Sequence, residues 1–299
     1  MHLKSLVAAV GAASLLLSGC GAGGGDDGDD AQVAIVASTN VWGQIAQQIG
    51  GDAVSVTSII SDSSKDPHSY EITTADKLHM SKADLVIENG GGYDDFMKRL
   101  SDSLGDEDTP TVNAVATSGI TAHDGELNEH VWYNAHAVAK VADAIAANIE
   151  KQAPDAKKQI HRNLARFKSG TTQIERTEAS IKKKFGGDAV AITEPVPLYL
   201  LQASGLTNRT PDAFSEAVEE GGDVSPAVLK DTLALFSEHR VSALFYNTQS
   251  TDEAAEQVKK AARKNGVPVV GVAETLPKGK DYREWMTDNL DHVKRALRR

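Results

Sequence analysis

The feature that most constrains the fold is a long charged segment in the middle of the chain, residues 155–185, whose apolar residues recur at helical spacing. These apolar residues are Ile160, Leu164, Phe167, Ile174 and Ile181. A single helix of this length would span about 45 Å, enough to join two lobes as a stiff rod. Because Gly170 lies inside the segment, two helices broken near Gly170 are the alternative.

Short apolar runs alternate with helical patterns on both sides of this segment. Buried strands are predicted at residues 33–38, 54–60, 83–88, 111–115, 189–193, 243–247 and 267–272. Such alternation is typical of α/β folds with parallel sheets covered on both faces. We therefore predict two similar lobes, each a parallel β-sheet flanked by helices and linked by one long rigid helix. The predicted domains are an N-terminal α/β lobe (32–154), a linking backbone helix (155–186) and a C-terminal α/β lobe (187–299).

The N-terminus has the pattern of an export signal. Lys4 precedes an apolar run at residues 6–17, about half the length that spans a bilayer, and the run ends in a lipobox-like Leu-Ser-Gly-Cys at Cys20. We predict a signal peptide with lipobox at 1–20, lipid attachment at Cys20, and a flexible acidic tether at 21–31. Since Cys20 is the only cysteine, a buried structural thiol is the alternative.

The formal net charge of −11 argues against nucleic acid as a partner, because neutralising phosphates requires clustered Lys and Arg. An acidic chain is compatible with a cation ligand, although most acidic chains are simply soluble.

Four residues that can bind metal follow predicted strands or precede a helix. His68 follows the second strand, His130 precedes an aromatic pair and a helical run, and Glu194 and Glu274 each follow a strand of the second half. Open α/β sheets bind ligands at the carboxyl ends of their strands, so these side chains form a candidate site with two residues from each lobe. Taken singly, each is explained as a cap or a surface charge. The spacings of 62, 64 and 80 residues mean that such a site exists only in the folded chain.

Several segments resemble one family along residues 33–297. They are STNVWGQIAQQIGGD, DPHSYE, NEHVWYN and SALFYNTQSTDEAAEQVKKAARKNGVPV. Together they resemble the metal-specific ABC-transporter substrate-binding lipoproteins, the zinc- and manganese-binding family. The resemblance implies His68 and His130 as ligands and Glu194 as the third, where the family has His or Glu. Glu274 stands where the family usually has Asp, and TEPVPLYLL departs from the commoner pattern after the third ligand.

The resemblance also implies a fold and a function. The expected fold is a class III solute-binding protein of the helical backbone type. The expected function is the extracytoplasmic component of an ABC importer that captures Zn²⁺ or Mn²⁺ as transported ligand and delivers it to a permease. We expect a monomer, lipid-anchored to the outer face of the cytoplasmic membrane, and no enzyme activity. The alternatives are a secreted metal-dependent hydrolase and a surface adhesin lipoprotein. Imidazole suits Zn²⁺ and added carboxylates suit Mn²⁺, so the choice of metal stays open.

Overall fold

A computed structural model describes residues 32–62, 65, 67–68, 70–105, 108–122 and 127–298. The predicted signal peptide, the acidic tether and the lipid-attachment residue Cys20 lie outside the described residues.

The first half of the described chain alternates strands and helices. In chain order the elements are β1 (Val33–Thr39), α1 (Asn40–Gly50), β2 (Val54–Ile60), α2 (Thr74–Met80), β3 (Leu85–Glu88), α3 (Asp95–Leu104), β4 (Thr111–Asn113), α4 (Ala114–Ser118), α5 (Ala135–Gln152) and α6 (Lys157–Phe185), with 3₁₀ turns at Gly51–Ala53, Val131–Tyr133 and Pro154–Ala156.

The second half repeats the alternation. Its elements are β5 (Ala189–Ile192), α7 (Leu198–Ala203), β6 (Thr207–Asn208), α8 (Asp212–Glu219), α9 (Pro226–Ser237), β7 (Leu244–Asn247), α10 (Glu253–Lys264), β8 (Val269–Val272) and α11 (Tyr282–Ala296). Local chemistry explains several helix starts. Ser225 caps α9 ahead of a proline in its first turn, and Asp281 with Glu284 forms a capping box on α11.

The strands form two four-stranded sheets with the same topology. The order is β2-β1-β3-β4 in the first sheet and β6-β5-β7-β8 in the second, and the strand pairs of both are parallel. The predicted α/β class with two parallel sheets is therefore confirmed. Two details differ. The short strand β6 is not among the predicted strands. The predicted strand 111–115 ends at Asn113, whose side chain accepts a hydrogen bond from Ala116 N and so caps α4.

The long central helix is also confirmed. Helix α6 runs for 29 residues without a break, so the alternative of two helices is wrong. Gly170 has a packing role, because a β-carbon at this position would lie 3.2 Å from Cδ of Arg283 on α11. Glycine thus lets α11 lie close against α6.

A single hydrophobic cluster connects the two lobes. It contains Ile45 from α1, Ile174 from α6, Ile192 from β5, Phe245 from β7 and Trp285 from α11, all nearly inaccessible to solvent. Since apolar packing is dense and resists deformation, this shared core predicts small relative motions of the lobes. Across the described residues, no helix combines the length and apolar character that crossing a bilayer requires.

Candidate metal centre

The two predicted histidines lie side by side against an aromatic wall. His68 follows β2, and His130 directly precedes the 3₁₀ turn Val131–Tyr133. The ring of Tyr93 contacts both imidazoles edge-on, at centroid distances of 5.2 Å to His68 and 5.9 Å to His130, and Trp132 contacts His130 edge-on at 5.0 Å. His130 is completely buried, whereas the His68 side chain is 29% exposed. The aromatic rings therefore shield His130 from water, and His68 lies on the solvent side.

Asn128 fixes the tautomer of His130. Its Oδ1 accepts hydrogen bonds from the His130 backbone N–H at 3.0 Å and from Nδ1 at 2.8 Å, and its Nδ2 donates to Pro195 O at 3.1 Å. Because both ends of the amide are paired, its orientation is determined, and Nδ1 of His130 carries the proton. Burial, and then the proximity of His68, lowers the pKa of His130 well below its usual value. His130 is thus neutral and turns the lone pair of Nε2 into the site.

The two predicted carboxylates of the second lobe are joined by an asparagine. Glu194 lies just past β5 and Glu274 just past β8, and both are almost fully buried. Nδ2 of Asn247, the last residue of β7, donates to Glu194 Oε2 and, at 2.7 Å, to Glu274 Oε1. The side chain of Gln249 accepts from the Glu274 backbone N–H at 2.7 Å. Three neighbouring strand ends therefore hold these two acids in place.

A further carboxylate, Glu219 at the end of α8, lies beside both histidines. Its Oε1 is 3.2 Å from Nε2 of His130 and 3.9 Å from Nε2 of His68. Nε2 of His68 is also 3.9 Å from Oε1 of Glu129, and ligand atoms of His68, Glu129 and Glu219 all lie within 4.8 Å of one another. The structure thus places His68 and His130 together around Glu219.

The pKa of Glu219 responds to the acids of the second lobe. Burial first, and then repulsion by Glu129, Glu274, Glu194 and Glu220, raises the pKa of Glu219 to about 10. Burial is also the main cause that raises the pKa of Glu129. The charges of Glu194 and Glu274 therefore act on Glu219, while the group of ligand atoms within 4.8 Å of one another consists of His68, Glu129 and Glu219.

This arrangement requires either a proton or a cation between Glu219 and His130. The lone pair of His130 Nε2 faces Glu219 Oε1, and within the described chain neither atom has a hydrogen-bond partner. Two acceptors at 3.2 Å repel one another unless a proton or a cation lies between them. Imidazole nitrogen and carboxylate oxygen are together the donors that Zn²⁺ and Mn²⁺ take in proteins. The cluster therefore has the chemistry of a divalent metal site.

Strand-end reasoning missed three residues of this cluster. Asn247 ends a predicted strand, so the same rule applied to amides as well as to acids and histidines would have found it. Glu129 stands in the motif that contains His130. Glu219 has no such signal, because it ends a short helix and only an acidic pair before two glycines marks its position.

The fold and the site together define a class: a two-lobed solute-binding protein with a helical backbone and a polar centre suited to a metal cation. The family model of the zinc-uptake complex component A, periplasmic, matches residues 35–296, and the chain belongs to this family. The predicted membership in the metal-specific ABC-transporter substrate-binding family is confirmed. Membership does not favour a hydrolase or an adhesin.

Two manganese-binding lipoproteins match along nearly the whole chain at low identity. The manganese ABC transporter substrate-binding lipoprotein PsaA of Streptococcus mitis is 23% identical over 305 residues, covering 95% of each chain. The manganese-binding lipoprotein MntA of Bacillus subtilis is 22% identical over 317 residues, covering 99% of each.

Solved structures share the fold. The solute-binding protein FpvC of Pseudomonas aeruginosa, in complex with Mn²⁺, has a TM-score of 0.74 at 24% identity, covering 90% of this chain and 99% of that one. The periplasmic zinc-binding protein TroA of Treponema pallidum has a TM-score of 0.73 at 17% identity, covering 89% and 99%.

Proposed function

We propose that this protein is the extracytoplasmic metal-binding component of an ABC importer. It captures Zn²⁺ or Mn²⁺ between its lobes through His68, His130, Glu194 and Glu274 and delivers the ion to a membrane permease. The observation that carries the proposal is the fully buried Nε2 of His130, whose lone pair faces a carboxylate oxygen at 3.2 Å. The metal is cargo rather than a cofactor, and the protein acts as a monomer without catalysis.

The ligand set is tested by metal titration of the purified protein. Wild-type protein is expected to bind Zn²⁺ or Mn²⁺ tightly, and His68→Ala with His130→Ala in one chain is expected to weaken binding by more than about 100-fold, beyond the range for residues that merely orient ligands. His136→Ala is the control, since this side chain is 74% exposed on α5. Affinity retained in the double variant would refute the ligand assignment.

The anchoring proposal is tested separately. The protein is attached through lipid on Cys20 to the outer face of the cytoplasmic membrane. A single acyl chain gives only marginal binding, so more than one chain on Cys20 is expected. Cys20→Ala is expected to move the protein from the membrane fraction to the soluble fraction and to remove the lipid mass from its N-terminus. Wild-type protein without any lipid mass would contradict this proposal.

A further inference from the structure

Neither its position in helix α8 nor access to solvent explains why the carboxylate of Glu219 lies in the candidate metal centre. It is the last residue of α8, and the negative end of a helix dipole disfavours an anion at this position. Its side chain is only 11% exposed, although a glutamate at the end of a surface helix can ordinarily extend into water. Phe214 and Val218 pack into the core and hold α8 in place. The carboxylate is thus directed inward by the fold.

The distances fit those between two ligands of one ion. Ligands about 2.1 Å from a metal lie about 3.0 Å apart at a right angle and about 3.4 Å apart at the tetrahedral angle. Glu219 Oε1 is 3.2 Å from His130 Nε2, between these two values, and 3.9 Å from His68 Nε2, about 0.5 Å beyond the larger one. An ion bound by both imidazoles therefore lies within reach of this oxygen after shifts of a few tenths of an ångström.

A second observation points to a cation at the same place. Nε2 of His130 is completely buried, cannot carry the proton because Nδ1 donates to Asn128, and has no hydrogen-bond partner in the described residues. Its lone pair is directed at Glu219 Oε1, which likewise has no hydrogen-bond partner among the residues that the structure describes. A metal ion bound by both atoms would satisfy them together.

We infer that Glu219 is a direct metal ligand, which completes a set of two imidazoles and three carboxylates and favours ions that take more than four ligands. This inference rests on the proposed function. Tetrahedral Zn²⁺ is satisfied by four donors, whereas Mn²⁺ takes higher coordination numbers and prefers carboxylate oxygen. Glu219 therefore raises the affinity for Mn²⁺ relative to Zn²⁺, against the intrinsic order in which Zn²⁺ binds more tightly.

The inference is tested by competitive Mn²⁺ and Zn²⁺ titrations of wild type, Glu219→Gln and Glu220→Gln. Glu220 is the matched control, because it is the exposed next residue and its substitution removes the same charge. Glu219→Gln is expected to weaken Mn²⁺ binding on the order of 10- to 100-fold and Zn²⁺ binding less. Glu220→Gln is expected to change either affinity by less than about 5-fold, the scale of an exposed charge.

Coordination is measured with Co²⁺, whose visible absorption is strong when four ligands surround it and weak when five or six do. Wild type is expected to give the weak spectrum, and Glu219→Gln a stronger one. Identical Co²⁺ spectra of wild type and Glu219→Gln would overturn the inference. An Mn²⁺ affinity that is unchanged or tighter in Glu219→Gln would also overturn it, and tighter binding would mean that Glu219 only blocks the site. If His130→Ala abolishes binding while Glu219→Gln does not affect it, the inference fails and the proposed function stands. If wild type binds neither ion, both fail.

Discussion

Asn128 gives the sharpest test of how the metal centre is organised, because it contacts His130 without being a ligand. In Asn128→Ala the His130 ring loses the acceptor that holds the proton on Nδ1, and the loop loses its link to Pro195 O. The two tautomers of the imidazole then compete. In one of them the proton sits on Nε2, where it excludes the metal.

The magnitude follows from the bonds that are removed. Three side-chain hydrogen bonds disappear, at 2.8, 3.0 and 3.1 Å, and at about 1 kcal/mol each the free energy of unfolding should fall by up to about 3 kcal/mol. Residues that orient a metal-bound histidine typically contribute 10- to 100-fold to affinity, or about 1.4–2.7 kcal/mol. We therefore expect Asn128→Ala to fold, to be less stable, and to bind Zn²⁺ and Mn²⁺ 10- to 100-fold more weakly.

The assay is competitive metal titration together with denaturant unfolding of the metal-free protein. Asn128→Asp is the informative companion variant, since it keeps the oxygen that accepts from Nδ1, and it should bind within a few-fold of wild type. Asn148→Ala is the control for simple loss of an asparagine, because this side chain donates to Ala144 O within α5, away from His130. Wild-type affinity in Asn128→Ala would refute the tautomer argument, and equal losses in the Ala and Asp variants would show that the oxygen does not matter.

Three other perturbations test the surroundings of the site. Burial, and then Glu175, raises the pKa of Glu178 in α6 to about 7. Because the charged form is disfavoured in the folded state, Glu178→Gln should change the free energy of unfolding little at pH 4 and raise it by up to about 3 kcal/mol at pH 8. Urea unfolding at both pH values measures this, and a difference that does not depend on pH would contradict it. Asn247→Ala should destabilise the metal-free protein by about 1.5–3 kcal/mol, because two buried carboxylates lose a shared hydrogen-bond donor. Added metal should raise the Tm of this variant more than the Tm of wild type, and equal shifts in Tm would argue against this explanation. The Asn40 side chain makes two hydrogen bonds with the Leu276 backbone, at 2.8 and 2.9 Å, and so holds the loop that follows Glu274. Asn40→Ala should therefore speed metal release to a chelator in stopped-flow experiments. An unchanged rate would show that these hydrogen bonds do not hold the loop.

Local patterns predicted most of the fold. The apolar residues of α6 recur within a few positions of one another, and the start of α9 is set by Ser225 and the proline that follows it, so neighbouring residues carry the information. The same reasoning failed at residues 114–115. There the capping capacity of Asn113 outweighs the strand propensity of Val115.

The metal centre was predictable only in part, for a physical reason. His68, Glu194 and Glu274 are marked by the strands that precede them, and parallel strands end at a common edge. The position of Glu219 depends on how α8 packs through Phe214, a non-local property that no spacing reveals. Sequence patterns therefore mark the candidate residues at strand ends and leave out Glu219, which packing brings to the two histidines.

The shared apolar core stabilises the folded state, whereas the buried acids of the candidate metal centre destabilise it. Apolar residues from both lobes pack together in one core, which resists relative movement of the lobes. The buried acids beside His130 instead repel one another, and a divalent cation relieves that repulsion directly. A hydrogen bond from Tyr133 Oη to Ala273 O at 2.8 Å connects the turn after His130 to the residue before Glu274. Metal binding should therefore appear mainly as added stability, with movement confined to the segments that carry the exposed ligands.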